Sequence, residues 1–392
     1  MVLRVKKRAT ISEFEMMSKQ LEMSGRNGTL DLTIPLELKH TSLGGEVLWS
    51  QLVTQWLNRP KQGALKTYFK DFDHIKSNIS DTLKYLPLLI AILESDSILY
   101  QNGSEADIKY MKHAAMKQLR IIQSGDPFQN SRGRVCQIIA ADHLGLGQPK
   151  FFYDQKLNTS HKLRPRSRFI DLSRFLLERY NADRFSEEAF DKIVTSLGTV
   201  LYEIFKNTDD HARTNLDGDL LKYSFRGMQL EVHSQDVTAL HSIADGYAPI
   251  ASYIPRVRPP QTGEFSNLAN FLVLSIFDTG PGLACRYSSK SLENMTLQEE
   301  EECTRECFTK VTSKAHDRFG QGLLLLGKAL ERHDGFLQLR TGRLSMYFDS
   351  ANSQDDATFA SKLKVFRSSR VTGSAQTCGA ALTMILPISG DE

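Results

Sequence analysis

Residues 278–282 read DTGPG and directly follow the apolar run FLVLSIF at 271–277, so a strand ends at an aspartate and a turn with two glycines. A carboxylate at the mouth of a strand, here Asp278, can accept a hydrogen bond from an exocyclic amine. Gly280 and Gly282 let the backbone come close to a flat base. Together they suit adenine.

Two other segments extend this chemistry. In GQG at 320–322, Gly320 and Gly322 lack the Cβ that would block a phosphate, and the apolar run LLLLGKALERH that follows reads as a helix. The first N–H groups of such a helix would point at an anion. In TSLGTVLYEIFKNTDDHA, at 195–212, Leu197, Val200, Leu201, Ile204 and Phe205 recur at helical spacing. Glu203 and Asn207, four residues apart, therefore share one face. Mg²⁺ takes hard oxygen ligands and keeps several waters, which makes the Asn207 amide oxygen a candidate ligand. Glu203 becomes a candidate orienter or general base for water. HDGFLQLRTGR at 333–343 and GAALTMILP at 379–387 read as closing strands.

The order of these motifs, over about residues 165–390, resembles the GHKL nucleotide-binding superfamily of gyrase B, the Hsp90 chaperones, histidine kinases and MutL. That resemblance implies an α+β protein whose C-terminal half is an α/β sandwich, a mixed sheet with helices on one face, holding ATP and Mg²⁺. Glu203 matches the acid of the family's first motif, Asn207 its metal ligand, Asp278 the adenine-reading aspartate, and Gly280 and Gly282 its turn. Gly320, Gly322 and Leu323 match the second glycine box. Asp210 stands where histidine kinases usually carry a basic residue and where the Hsp90 and MutL branch often carries aspartate, whereas His211 is the kinase-like choice. Ala380 replaces a common threonine. Residues 284–319 fall at the position of the ATP lid, from which Lys314, His316 or Arg318 would reach the γ-phosphate. Within it, SSKSLENMTLQEEEEC lacks an apolar face wide enough to pin it, so a mobile segment is expected.

Residues 1–157 read as a smaller N-terminal α/β domain, 158–168 as a polar linker, and 169–392 as the ATP-binding domain with an insertion at 235–268. TLDLTIPLEL and GALKTYF alternate as strands, with GGEVLWSQLVTQWLN between them as a helix. Two helices follow, at about 71–93 and 105–122. The insertion, rich in Pro and Tyr, is expected to be a functional loop or disordered.

Composition narrows the class. The 392 residues are 41% hydrophobic, enough for two ordinary cores, and the net charge of +3 does not predict a nucleic-acid surface. RVKKR at 4–8 reads as a solvated tail. The longest apolar run, YLPLLIAIL at 85–93, is too short to span a bilayer. Five cysteines without paired CxxC spacing suggest reduced thiols and a cytoplasmic protein. SHKLRP at 160–165 superficially resembles a phosphoacceptor box, yet Lys162 replaces the acidic residue that should follow His161.

Three functions fit. The first is an ATP-gated switch with slow hydrolysis, in which two subunits associate as a homodimer or the N-terminal domain moves; a protein partner of unknown identity is also expected, and in the kinase reading it receives the phosphate. The second is a protein kinase resembling the anti-sigma-factor serine kinases or histidine kinases, and the third a binding-only ATP sensor. Glu203 favours an enzyme, since a binder does not need it.

Overall fold

The computed structural model describes residues 1–7, 10–25, 28–38, 43–125, 133, 135–154, 162–181, 187–244, 247–256, 268–309, 321–350, 357–367 and 374–388. The chain begins with β1 (Val2–Arg4), α1 (Ile11–Met23), β2 (Leu30–Thr33), α2 (Gly45–Leu57), β3 (Gln62–Lys66), α3 (Phe72–Thr82), α4 (Leu86–Glu94), β4 (Ile98–Leu99) and α5 (Ile108–Gln123). It continues through β5 (Val135–Ala141), β6 (Tyr153–Asp154), β7 (Lys162–Leu163), α6 (Arg166–Asn181), α7 (Glu187–His211) and β8 (Phe225–Asp236). Next come α8 (Val237–Ile243), α9 (Ala248–Tyr253), β9 (Leu268–Asp278), α10 (Leu283–Ser288), α11 (Leu297–Glu306) and α12 (Gln321–Arg332). β10 (Phe336–Gly342), β11 (Leu344–Asp349), α13 (Phe359–Lys362), β12 (Lys364–Val365) and β13 (Thr377–Pro387) close the described fold.

The α+β class is as expected, and the two kinds of strand pairing are segregated. Strands β1 to β4 form a parallel sheet in sequence order. The second sheet, ordered β12-β11-β10-β13-β9-β8-β5, is antiparallel at every pairing. Its edge strand β5 precedes the expected linker, so residues 135–141 belong to the large sheet although they lie inside the segment read as a separate N-terminal domain.

Each face of the large sheet is covered. On one, α6, α7 and α12 bury Leu197, Val200, Leu201, Ile204 and Phe205 against Leu274, Ile276 and Leu339. The other face packs against the N-terminal helices, chiefly α2, in which every residue except Gln55 is buried. Even its polar residues Glu46, Ser50, Gln51 and Thr54 are buried, so this helix is internal. Polar pins fix that junction: Gln51 Nε2 donates to the Cys378 carbonyl at 2.9 Å, and buried Arg340 meets Glu15 of α1 with two bonds of 2.8 and 3.2 Å.

Local sequence accounts for several boundaries. Thr10, Asp71 and Asp107 cap α1, α3 and α5 by accepting from backbone N–H groups. The helix expected over 71–93 is instead two, because Leu83–Tyr85 turn and Pro87, which has no N–H to donate, starts a new helix in its first turn. RVKKR is no free tail, since Arg4 ends β1 and Leu3 and Val5 are buried. In the 235–268 insertion, Tyr247, Ile250, Tyr253 and Ile254 are buried, and the Tyr253 hydroxyl donates to the Asp334 carbonyl at 2.6 Å. Among the described residues, no helix is long and apolar enough to cross a membrane.

Candidate functional site

α7 carries Glu203, Asn207 and His211 at successive four-residue steps, hence on one face. The C-terminal end of α7 is fastened from below by a buried charge network. Arg226, fully buried on β8, donates to Asp142 with bonds of 2.7 and 2.9 Å and lies 3.3 Å from Asp209. The Tyr153 hydroxyl donates to Asp209 at 2.9 Å. Burial by itself would raise Asp142, but Arg226 and Gln148 outweigh it and hold the carboxyl below its ordinary range. Two acids facing one buried guanidinium leave the helix little freedom to turn.

Asp278 ends β9 beside this helix. Its Oδ1 accepts from Gly280 N at 2.9 Å and Ala380 N at 3.3 Å. Oδ2 accepts no hydrogen bond among the described residues, and the residue lines a cavity. Burial pushes this carboxyl up to about 6, against the pull of the two N–H donors. The cavity has room for about 50 Å³ of water inside a cleft of about 610 Å³ that includes open solvent. Asn207, Thr208 and His211 line it from α7, Gly282 and Arg286 from the turn and α10, and Leu323 from α12.

The glycines serve contacts within the protein that were not foreseen. A Cβ on Gly322 would sit 2.7 Å from the Glu203 Cβ and 3.4 Å from Asn207 Nδ2, so the bare backbone lets α12 touch α7 at the acid itself. At Gly280 a Cβ would come within 2.8 Å of the Ala212 Cα. Gly282 has φ 92°, a conformation few side chains tolerate. The expected clearance for base and phosphate is thus first a clearance for neighbouring chain.

The structure brings together Glu203, Asn207, His211, Asp278, Gly280, Gly282, Gly322 and Leu323. Asp210 does not join them: it is paired with Lys206 one turn back on α7, its side chain 40% exposed, because the helical step turns it away from the face of Asn207. Gly320, Lys314, His316 and Arg318, like His161, lie outside the described residues. The expectation of an unpinned lid is corrected for residues 284–309. Glu300 is fully buried and accepts from Arg343 N at 2.7 Å and Nε at 2.6 Å. Arg305 donates to the carbonyls of Ala360 and Leu363, Thr296 and Glu299 form a reciprocal cap, and Met295, Cys307 and Phe308 are buried. A buried ion pair is invisible in a run of four glutamates, and it does the pinning that an apolar face would otherwise do.

Four site residues escaped sequence reasoning. Arg166, in the first turn of α6, makes an ion pair with Glu203 and places its guanidinium 5.6 Å over the Tyr202 ring. Arg286 donates to the Thr214 carbonyl at 2.6 Å, and burial lowers its guanidinium. The Thr341 hydroxyl donates to the Gly379 carbonyl at 3.0 Å and accepts from Leu283 N at 3.1 Å. Gly379 has φ 65°, and a Cβ there would lie 1.9 Å from the Asp278 carbonyl oxygen. Only the glycine was visible beforehand, in CGAAL, with nothing to mark it as special.

Among the described residues no group of three or more His, Cys, Asp or Glu could hold a metal. A divalent ion would therefore depend on Asn207, Glu203 and oxygens brought by a ligand, a donor set suited to Mg²⁺. No family model, no curated protein and no solved structure matches this chain.

Proposed function

We propose that the protein binds Mg-ATP at this cleft and works as an ATP-gated conformational switch with slow hydrolysis, as its resemblance to the GHKL superfamily implies. One observation carries the reading. Three segments far apart in sequence, around Glu203 and Asn207, Asp278, and Gly322, meet at one cavity, and the buried carboxylate keeps one oxygen without a hydrogen bond. A carboxylate oxygen beside the cavity, with no hydrogen bond among the described residues, can accept one from a donor in a ligand. The adenine exocyclic amine is such a donor.

In this role Asp278 binds and orients the base, the Gly282 turn flanks it, and Asn207 would hold Mg²⁺. The ion supplies charge neutralisation for the phosphates when bound. Glu203 orients or deprotonates the attacking water. Its pairing with Arg166 occupies one carboxylate oxygen, which is consistent with slow turnover until that pair opens.

Incubation of the full chain with γ-labelled ATP tests the reading when released phosphate and labelled protein are followed separately. Saturable Mg²⁺-dependent binding with phosphate release and no label on protein is expected. Label transferred to an added partner would favour the kinase reading, and binding without turnover the sensor. No binding at millimolar ATP would end the proposal.

A further inference from the structure

A second cavity, of about 920 Å³, lies in the N-terminal part of the molecule and shares no lining residue with the cleft above. Its position follows from the parallel sheet. β1 ends at Arg4 and residues 4–7 line the cavity, β2 ends at Thr33 and residues 35–37 line it, and β3 ends at Lys66 and Tyr68 lines it. Asn78, Asp81 and Thr82 of α3, with Lys84 and Tyr85 of the turn that follows it, supply the remaining wall. Three consecutive strands thus discharge their carboxyl ends into one concavity, the edge of a parallel sheet at which ligands are ordinarily held. A volume below about 1,000 Å³ is that of a small-molecule site.

The chemistry of the wall is one-sided. Arg4, Lys6, Lys7 and Lys84 face two acids, Glu37 and Asp81. Lys7 is paired with Glu37 at 2.9 Å and Lys84 with Asp81 at 2.8 Å, while Lys6 reaches out to Glu13 at 2.9 Å. In each pair at least one partner is well exposed, and such pairs are screened and exchange readily for a stronger anion. Arg4 is exposed, and its side chain makes no ion pair among the described residues. An unpaired guanidinium presents a planar fork suited to phosphoryl or carboxylate oxygens. Beside it, Tyr68 leaves 38% of its surface exposed, and Tyr85 is half-buried, so the cavity also offers flat apolar surface.

We infer that this cavity is a second ligand site, for a small organic phosphate with a flat apolar body, independent of the nucleotide cleft. The anion sits on Arg4 with Lys7 and Lys84, and the body lies against Tyr68. A concavity of this volume with two tyrosines in its wall favours a small molecule over a polymer, whose backbone needs a long basic groove.

Calorimetry of the full chain with phenyl phosphate tests this, with inorganic phosphate as the bare anion. The Asp278→Asn chain serves as a second host in which the cleft is impaired. One phenyl phosphate per chain is expected in both hosts, bound at least about tenfold more tightly than inorganic phosphate. Arg4→Ala should weaken both anions by about tenfold, whereas Tyr68→Ala should weaken phenyl phosphate alone. Circular dichroism on each variant establishes that it is folded, and both side chains are exposed. The inference is overturned if phenyl phosphate shows no saturable binding at millimolar concentration, or if Arg4→Ala leaves it unchanged. It is equally overturned if a short single-stranded oligonucleotide binds through Arg4 and phenyl phosphate does not, since the basic rim would then be a polymer surface.

Discussion

Replacing Asp278 by Asn should move stability and ligand binding in opposite directions. In the free protein the carboxyl is pushed from its ordinary 3.8 up to about 6 by burial. The corresponding contribution to stability is fully present below the ordinary value and is lost as pH rises through about 6. At neutral pH the ionised side chain therefore costs about 3 kcal/mol relative to a neutral one, at roughly 1.4 kcal/mol per tenfold. Asn keeps an oxygen for Gly280 N and Ala380 N, so both anchoring bonds survive. Its amide nitrogen then stands where Oδ2 was, a donor facing the donor of adenine. The expected outcome is a melting temperature a few degrees above the parent at pH 7, a difference that vanishes near pH 4, and ATP affinity reduced at least tenfold, about 1.4 kcal/mol or more. Scanning fluorimetry across pH and calorimetry with Mg-ATP measure the two halves. A variant that melts below the parent at pH 7, or that binds ATP as tightly, would refute the assignment of Asp278 as a charged, ligand-directed acceptor.

Other substitutions separate the remaining roles. Glu203→Ala should retain ATP and lose turnover by roughly 10² to 10⁴, whereas Asn207→Ala should also lose the Mg²⁺ dependence of binding; equal turnover in Glu203→Ala and parent would remove the general base. Arg166→Ala frees Glu203 and should raise turnover by about tenfold with little change in affinity, and a tenfold fall in single-turnover assays would show instead that the pair orients the acid. Gly322→Ala forces a Cβ to 2.7 Å from that of Glu203 and should destabilise by about 1–3 kcal/mol in denaturant melts; an unchanged midpoint would mean that α12 shifts freely. Amides of α11 should exchange slowly with or without nucleotide, and Arg343→Ala, which removes the cation beside buried Glu300 and leaves it the backbone N–H alone, should cost about 3–5 kcal/mol and speed that exchange.

The parts of the site that sequence made legible share a property: each is a local pattern. Asp278 with its glycines and Glu203 with Asn207 are defined by spacing within a few residues, and so are the strands at 271–277 and 379–387. Gly379 and Thr341 are not local, because their roles exist only when β13 and β10 close on the turn after β9. Arg166 meets Glu203 across 37 positions. At the other end, β1 has three residues, too few for its alternation to outweigh the basic run that follows it. Glu300 misled in the opposite way, since a buried glutamate and a solvated one are spelled identically until Arg343 is seen beside it.

The hydrogen bond from Gln51 to the Cys378 carbonyl joins two parts of the molecule through a single short stretch of chain. Two residues further on, Ala380 N holds the Asp278 carboxylate. A shift of α2 would therefore bear on the strand residue that holds Asp278, and a change at Asp278 would bear on α2. Linkage makes that exchange symmetric: if a ligand of the N-terminal cavity tightens nucleotide binding by some factor, nucleotide must tighten that ligand by the same factor.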